Sequence, residues 1–275
     1  MDVKAAASPG LAIADVAAVL GDLACRFDID LLEQCDSSNA RLLARAEAGA
    51  GSGSVIVARE QTAGRGRRGR AWLSAAEDSL TFSLLWRFSA GTSLSGLSLA
   101  VGLALARALE QMGLTHLSLK WPNDLLLGEA KLAGVLIEVV PGQLPAAVIG
   151  VGLNLRLPQA MPEDLRLRSA ALEGQLQPLP SASRLLAKLL VELHALLEEF
   201  QAGGFSRLRD EWLEHHAYEQ RPVQLSSDHA EPQSGICRGV DGDGALLLET
   251  STGLQRIISG EISLRGLPLG GKSRL

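Results

Sequence analysis

Between Ser93 and Met112 the chain reads SLSGLSLAVGLALARALEQM, with leucine and alanine on nearly every helical face and only Arg107, Glu110 and Gln111 to meet water. A helix apolar all round is stable only when buried, so the rest of the chain has to enclose this one. Short apolar segments flanked by turn residues read as strands: VIVARE, LTFSLLWRF, LSLKW, AGVLIEVV and AVIGVGLNL. LSLKW and AGVLIEVV are joined by PNDLLLGEAKL, whose Gly128-Glu129 pair suits a hairpin turn, and this predicts an antiparallel or mixed sheet.

Helical spacing recurs at residues 11–25 and at 38–48, the latter opening on DSSN, whose side chains can cap free N–H groups. A strong amphipathic helix runs through Leu185, Leu189, Leu193, Leu196 and Phe200, and FSRLRDEWLEHH predicts a shorter one. Leu157 to Pro180 is polar and proline-spaced and reads as a surface excursion. From about Tyr218 the pattern changes to short strands, PVQLSS, SGICRGV, GALLLET and LQRIIS, with DGDG between two of them. The expectation is therefore an α+β chain with a large domain over residues 1–218 and a small β module over 219–275. A module of roughly 55 residues is near the lower limit for folding alone, so it should pack on the larger domain.

The net charge of −5 argues against a protein that coats nucleic acid or anionic lipid. Three cysteines, Cys25, Cys35 and Cys237, match neither a disulfide framework nor a CxxC metal site, and they read as reduced thiols in a cytoplasm. The alanine-rich beginning is interrupted by Asp15, Gly21 and Asp22 and does not read as a signal peptide. No run approaches the roughly 18 to 20 apolar residues of a membrane span.

Against that acidic balance stands EQTAGRGRRGRAW, Glu60 to Trp72. Its GRGRRG satisfies GxGxxG, but no helical period follows, so the dinucleotide-binding reading fails; the GK[ST] ending of a P-loop is absent as well. Glycines let a backbone close tightly on a ligand, and guanidinium forks match carboxylate and phosphate oxygens in pairs. Such a loop suits a substrate that brings two anions together. Repulsion among Arg65, Arg67, Arg68 and Arg70 predicts a loop that stays mobile until an anion orders it. A nucleic-acid patch is the alternative for an arginine cluster, and the acidic total and lack of interleaved aromatics disfavour it.

A second constellation is KWPND followed by KLAGVLIE. Pro122 holds Trp121 extended, and Asn123 with Asp124 can form a tight turn, which is a sufficient reason for them taken alone. Lys131 stands at the mouth of an apolar strand, where an ammonium needs an anion or water. His194, His215 and His216 are in no ligand spacing, and DGDG lacks the other ligands of a calcium loop, so no protein metal site is expected.

Together these blocks carry a resemblance. DSSNARLL, QTAGRGRRGR, KWPNDLLLGEAKLAGVLIE and VIGVGLNL occur in the order seen in biotin protein ligases, and RPVQL, GVDGDGALLLE and GEISLR resemble that family's C-terminal β module. The resemblance spans roughly residues 30 to 265. It implies a mixed β-sheet catalytic domain of the biotin/lipoate ligase type with a small C-terminal SH3-like β-barrel. It implies an ATP-dependent ligase with biotin and ATP as substrates, Mg²⁺ bridging phosphates, and a biotin carboxyl carrier domain of a carboxylase as partner; a homodimer stays open. Some relatives carry an N-terminal winged helix of roughly 60 residues. About 30 residues precede LLEQC here, so no specific nucleic acid partner is expected. The rival on the same fold, a lipoate or octanoyl transferase, is disfavoured by the arginine loop and the β module.

By the same resemblance Ser37, Ser38 and Asn39 sit where the family contacts biotin, with Ser38 in place of a common threonine. Gln61 sits where the ureido ring is bonded. Gly64, Arg65, Gly66 and Arg67 match the loop that closes over biotin and the adenylate. Lys131 matches the lysine on the biotin carboxylate and reacting phosphate, and with Arg67 it is the expected catalytic pair. Trp72, Asn123, Asp124 and Asn154 fall on the nucleotide side.

Overall fold

The computed structural model describes residues 10–73, 75–227, 231–258 and 262–267. In chain order its main elements are α1 (Ile13–Leu20), β1 (Asp28–Cys35), α2 (Ser38–Glu47), β2 (Ser54–Gln61), β3 (Ser79–Arg87), α3 (Leu97–Gln111), β4 (Leu117–Lys120), β5 (Asp124–Leu127), β6 (Ala130–Val139), β7 (Ala146–Asn154), α4 (Glu163–Arg166), α5 (Ala182–Gly203) and α6 (Arg209–Glu214). β8 (Pro222–Ser227), β9 (Gln233–Val240), β10 (Leu246–Thr250), β11 (Gly253–Ile257) and β12 (Ile262–Gly266) follow. Residues 1–9 and 268–275, the outer ends of the two expected domains, lie outside the described residues.

Seven strands form a mixed sheet in the order β1-β2-β3-β7-β6-β5-β4, with β1 parallel to β2 and the other neighbours antiparallel. The period of two sorts its side chains between two cores. Val55, Val57 and Leu84 face a large core with α3 and α5, whereas Ile56 and Leu85 face a smaller one with Leu42 and Ala46 of α2. α3 is the buried helix that its composition demands, packed between the sheet and α5 with its leucines essentially inaccessible. Each such leucine contributes about 1.5–3 kcal/mol by leaving water. α2 lies alone on the opposite face.

Two expectations need correction, and one strand had no expectation at all. β1 reads DIDLLEQC, and its acids mask a strand; as an edge strand it carries charge where a central one could not. The Gly128-Glu129 turn is present, with Gly128 at φ 60°, but it pairs β5 with β6. DLLL, expected in the connection, is therefore a strand, and Trp121–Asn123 turn the chain between β4 and β5, where Lys120 opposes Asp124. Residues 157–180 are more than an excursion. They carry α4, return to the sheet by a bridge between Lys131 and Ser169, and bury Leu172 and Leu176.

The second sheet is antiparallel in the order β11-β10-β9-β8-β12, and among the described residues it is an open sheet. DGDG makes its expected hairpin: Asp241 accepts from the amides of Asp243 at 2.9 Å and Ala245 at 3.0 Å and bonds Arg256. This sheet is fastened to the rest of the chain at two points: the Trp121 indole donates to the Gly244 carbonyl at 3.0 Å, and Arg209 of α6 donates to the Val240 carbonyl at 2.7 Å. Cys25, Cys35 and Cys237 are free thiols. Among the described residues no helix is long and apolar enough to cross a membrane.

Candidate functional site

The arginine loop leaves β2 at Gln61 and closes into a small hairpin. Gly66 N–H donates to Arg70 O at 2.7 Å, and Trp72 N–H donates to Gly64 O at 2.9 Å. Gly64 is required there, because a Cβ would stand 2.6 Å from the Trp72 carbonyl. The hairpin folds back over β6 and β7, so that the Trp72 indole lies on a floor made of Gly134 and Gly152. Gly150 continues that floor, and the Asn39 amide occupies the space where its side chain would be. Without Cβ atoms the sheet is hollow at this point.

The hollow is a cavity of about 270 Å³. Ser37, Ser38, Asn39, Gln61, Arg65, Gly66, Arg67, Trp72, Asn123, Asp124, Lys131 and Asn154 all line it, and Gly64 stands behind the wall. Five separate segments thus meet at one place. They do not all offer free groups. Ser37 caps α2 by accepting from Ala40 N–H at 3.4 Å. Asn39 is 3% exposed, and its Nδ2 donates to Glu138 Oε2 at 2.8 Å. Its Oδ1 lies 2.5 Å from Ser83 Oγ. Asn154 Nδ2 donates to Ala170 O at 2.9 Å and Lys131 O at 3.3 Å. Asn123 Nδ2 donates to Val135 O at 2.6 Å. These three asparagines hold the frame. Gln61 Oε1 accepts from Ser38 N–H at 2.7 Å, with Ser38 Oγ 3.1 Å away, so the amide has its NH₂ left to give a ligand.

At the other end the cavity is cationic. Lys131 Nζ lies 2.6 Å from Asp124 Oδ1 and 5.5 Å from the Trp72 ring centroid. Lys120 is 3.8 Å from the same carboxylate, and Arg67 donates to Asn123 Oδ1 at 3.4 Å. Burial pulls the Arg67 guanidinium below its ordinary pKa; Asp124 opposes that, while Arg68 and Arg70 reinforce it. Lys120 is drawn down in the same way, by burial against the pull of Asp124, with Lys131, Arg265 and Arg70 adding to the effect. Among the described residues Asp124 is the sole carboxylate lining the cavity, so the cations outnumber their counter-charge. A bound anion would relieve all of them together.

Several residues of the site carry no sequence signal of their own. Lys120 was visible only as the letter before WPND. Ser83, fully buried behind the wall against Asn39, could have been noticed as the polar residue inside LTFSLLWRF. Met161, Leu165 and Ser169 arrive on the segment around α4, and Ser263 with Leu264 comes from β12 of the other sheet. Nothing local predicts those. Among the described residues the Trp72 Nε1–H is buried without an acceptor, a donor held in reserve at the cavity wall. The histidines lie elsewhere: His194 packs edge-on to Phe27 and Trp86, His215 bonds Glu110, and His216 stacks on Trp212. Among the described residues no group of His, Cys, Asp and Glu could hold a metal ion.

Comparison with known proteins gives a consistent result. Residues 32–154 match the family model described as biotin/lipoate A/B protein ligase family, and residues 221–265 match the biotin protein ligase C terminal domain. The chain is 37% identical over 241 residues to the bifunctional ligase/repressor BirA of Salmonella typhimurium, covering 86% of this chain and 74% of that one. It is 33% identical over 246 residues to the biotin--[acetyl-CoA-carboxylase] ligase of Paracoccus denitrificans, covering 86% of this chain and all of that one. In structure it matches the biotin protein ligase of Aquifex aeolicus in complex with biotin and ATP, with TM-score 0.75 and 31% identity over 87% of this chain and 99% of that one.

Proposed function

The chain belongs to the biotin/lipoate A/B protein ligase family, and from that premise we propose that it activates biotin with ATP as biotinyl-5'-AMP and transfers the biotinyl group to a lysine of a biotin carboxyl carrier protein. The observation that carries this reading is one cavity with two unlike ends. The Gln61 amide, held by Ser38, offers neutral hydrogen bonds suited to a ureido ring, while Arg67, Lys120 and Lys131 suit a carboxylate beside a phosphate.

In the first step a carboxylate oxygen of biotin attacks the α-phosphorus of ATP, the bond to the bridging oxygen breaks, and pyrophosphate leaves. Negative charge accumulates where Arg67 and Lys131 stand, and losing one such preorganised contact costs roughly 3–4 kcal/mol. The Lys131–Asp124 ion pair fixes the ammonium. In the second step the carrier's lysine amine attacks the carbonyl carbon of the mixed anhydride, the amide forms and AMP leaves as the proton is released. No protein nucleophile is needed. Trp72, Met161 and Leu165 give the nucleotide apolar faces, and the arginine loop tightens on the adenylate and keeps water from the anhydride.

Mg²⁺ fits this donor set as a phosphate-borne ion, since it keeps most of its waters and needs one or two carboxylates; Asp124 is the residue to supply one. When bound it neutralises phosphate charge. The same reading assigns residues 1–218 to catalysis and 219–275 to a module of SH3-like barrel type that completes the cavity wall through Ser263 and Leu264.

The test is direct. The protein, biotin, MgATP and a biotin carboxyl carrier domain are mixed, and the carrier should gain the mass of one biotinyl group on one lysine. No gain, or equal use of lipoate offered alongside, overturns the assignment.

A further inference from the structure

Glu138 lies behind the cavity wall on β6, its side chain 25% exposed, at a point where two parts of the site meet. On one side the Arg65 Nη2 of the glycine-arginine loop donates to both carboxylate oxygens, at 3.3 Å and 3.4 Å. On the other side Asn39 Nδ2 donates to Oε2 at 2.8 Å. Asn39 Oδ1 can only accept, so Ser83, fully buried, gives its proton there. Ser83 Oγ then accepts from Ser38 Oγ, 2.8 Å away, and Ser38 holds the Gln61 amide through its backbone N–H. A continuous chain of polar contacts therefore runs from the loop to the cavity floor, with Arg65 and Glu138 as its charged links.

Resting on the function proposed above, we propose that Glu138 is a positioning residue that latches the arginine loop through Arg65 and, with the same carboxylate, sets the biotin-binding floor through Asn39. The charge is needed for the loop. Arg65 stands in a run of four arginines within six residues, and among the described residues Glu138 is the carboxylate it pairs with, while Asp124 is shared by Lys131 and Lys120. The acceptor is needed for the floor, because the remaining contact of Asn39 Nδ2, to Leu136 O, is 3.4 Å long. A single side chain serves both demands. Closing the loop and ordering the floor are then one event, and a weaker latch lowers the closed fraction and raises apparent KM by the same factor.

The variants separate the two arms. Glu138→Gln keeps an acceptor for Asn39 and removes the charge from Arg65; Glu138→Asp keeps the charge; Glu138→Ala removes both. An ion pair this exposed is worth a factor of about three. E138Q should therefore be cut by trypsin within residues 65–70 faster than wild type in the ligand-free protein and show a raised KM for biotin, the two fold-changes multiplying to about three, with kcat for biotinyl-AMP formation nearly unchanged. E138A, which also strands a buried donor, should raise KM by about tenfold or more. E138D should restore the slow cleavage. The latch is overturned if E138Q is cut at the wild-type rate with an unchanged KM, or if the variants lose kcat in proportion to a falling Tm with KM intact. If E138A fails to fold, E138Q and E138D decide. If wild type forms no biotinyl-AMP the functional reading falls, while the tryptic comparison still tests the latch.

Discussion

Gly152 is the position where the smallest change should have the most legible effect. It lies toward the end of β7, paired with Thr81 of β3 and Gly134 of β6, and its missing side chain makes room for the Trp72 indole. In Gly152→Ala the new methyl would stand 2.8 Å from the indole nitrogen and closer still to two ring carbons. Comfortable contact needs about 3.5 Å, so the ring must move by about 1 Å. The strand cannot yield, being bonded on both sides, whereas Trp72 ends a surface hairpin. The loop therefore takes the displacement. Overpacking of this size costs about 1–3 kcal/mol, which lowers kcat/KM for biotin-dependent pyrophosphate release by about 5- to 150-fold. Stability should hardly change, because alanine in an extended strand restricts the unfolded chain by about 0.4–1 kcal/mol and offsets residual strain. Tm should stay within about 3 °C of wild type. Steady-state kinetics and thermal denaturation of G152A, W72A and the double variant form the cycle that decides. With the ring gone the added methyl should cost almost nothing; if G152A is as harmful in the W72A background as alone, the steric account is wrong.

Further predictions concern the charge, the floor and the domain junction. Lys131→Ala should slow biotinyl-AMP formation by about 100- to 1000-fold, and a wild-type rate in a quenched-flow measurement would remove the lysine from the chemistry. Ser83→Ala leaves the Asn39 oxygen without its buried donor and should cost about 1–3 kcal/mol in urea unfolding, with a raised KM for biotin; unchanged values of both would refute the floor network. His216, with a side chain fully shielded between Trp212 and Glu219, is held below the ordinary imidazole pKa by burial, with Glu219 opposing the shift. The unfolded chain then takes the proton first as pH falls, so stability is lost from about pH 6.5 downward, by at most about 1.4 kcal/mol per pH unit. His216→Gln should flatten that acid limb, and an identical slope in both proteins would show that another group controls it.

The helix over Leu97–Gln111, the strands with continuous apolar runs and the residues of GRGRRG and KWPND were legible because each carries its reason locally: an all-apolar face, a period of two, a loop of glycine and like charge. Their chemical types alone called for a ligand with more than one anion. β1 and DLLL were not legible, since an edge strand can be charged and a four-residue strand is too short to show a period. Only the tertiary structure decided which groups are free. Asn39, Asn123 and Asn154 look like ligand contacts as letters, yet their amides are committed to Glu138, Val135 and Ala170. Nor could the chain itself announce that Glu138 joins Arg65 to Asn39 across 73 and 99 residues, or that β12 closes the cavity. Residue type sets what a side chain can bond; which partner it has already found depends on segments far apart in sequence, and that is settled only when the sheet is assembled.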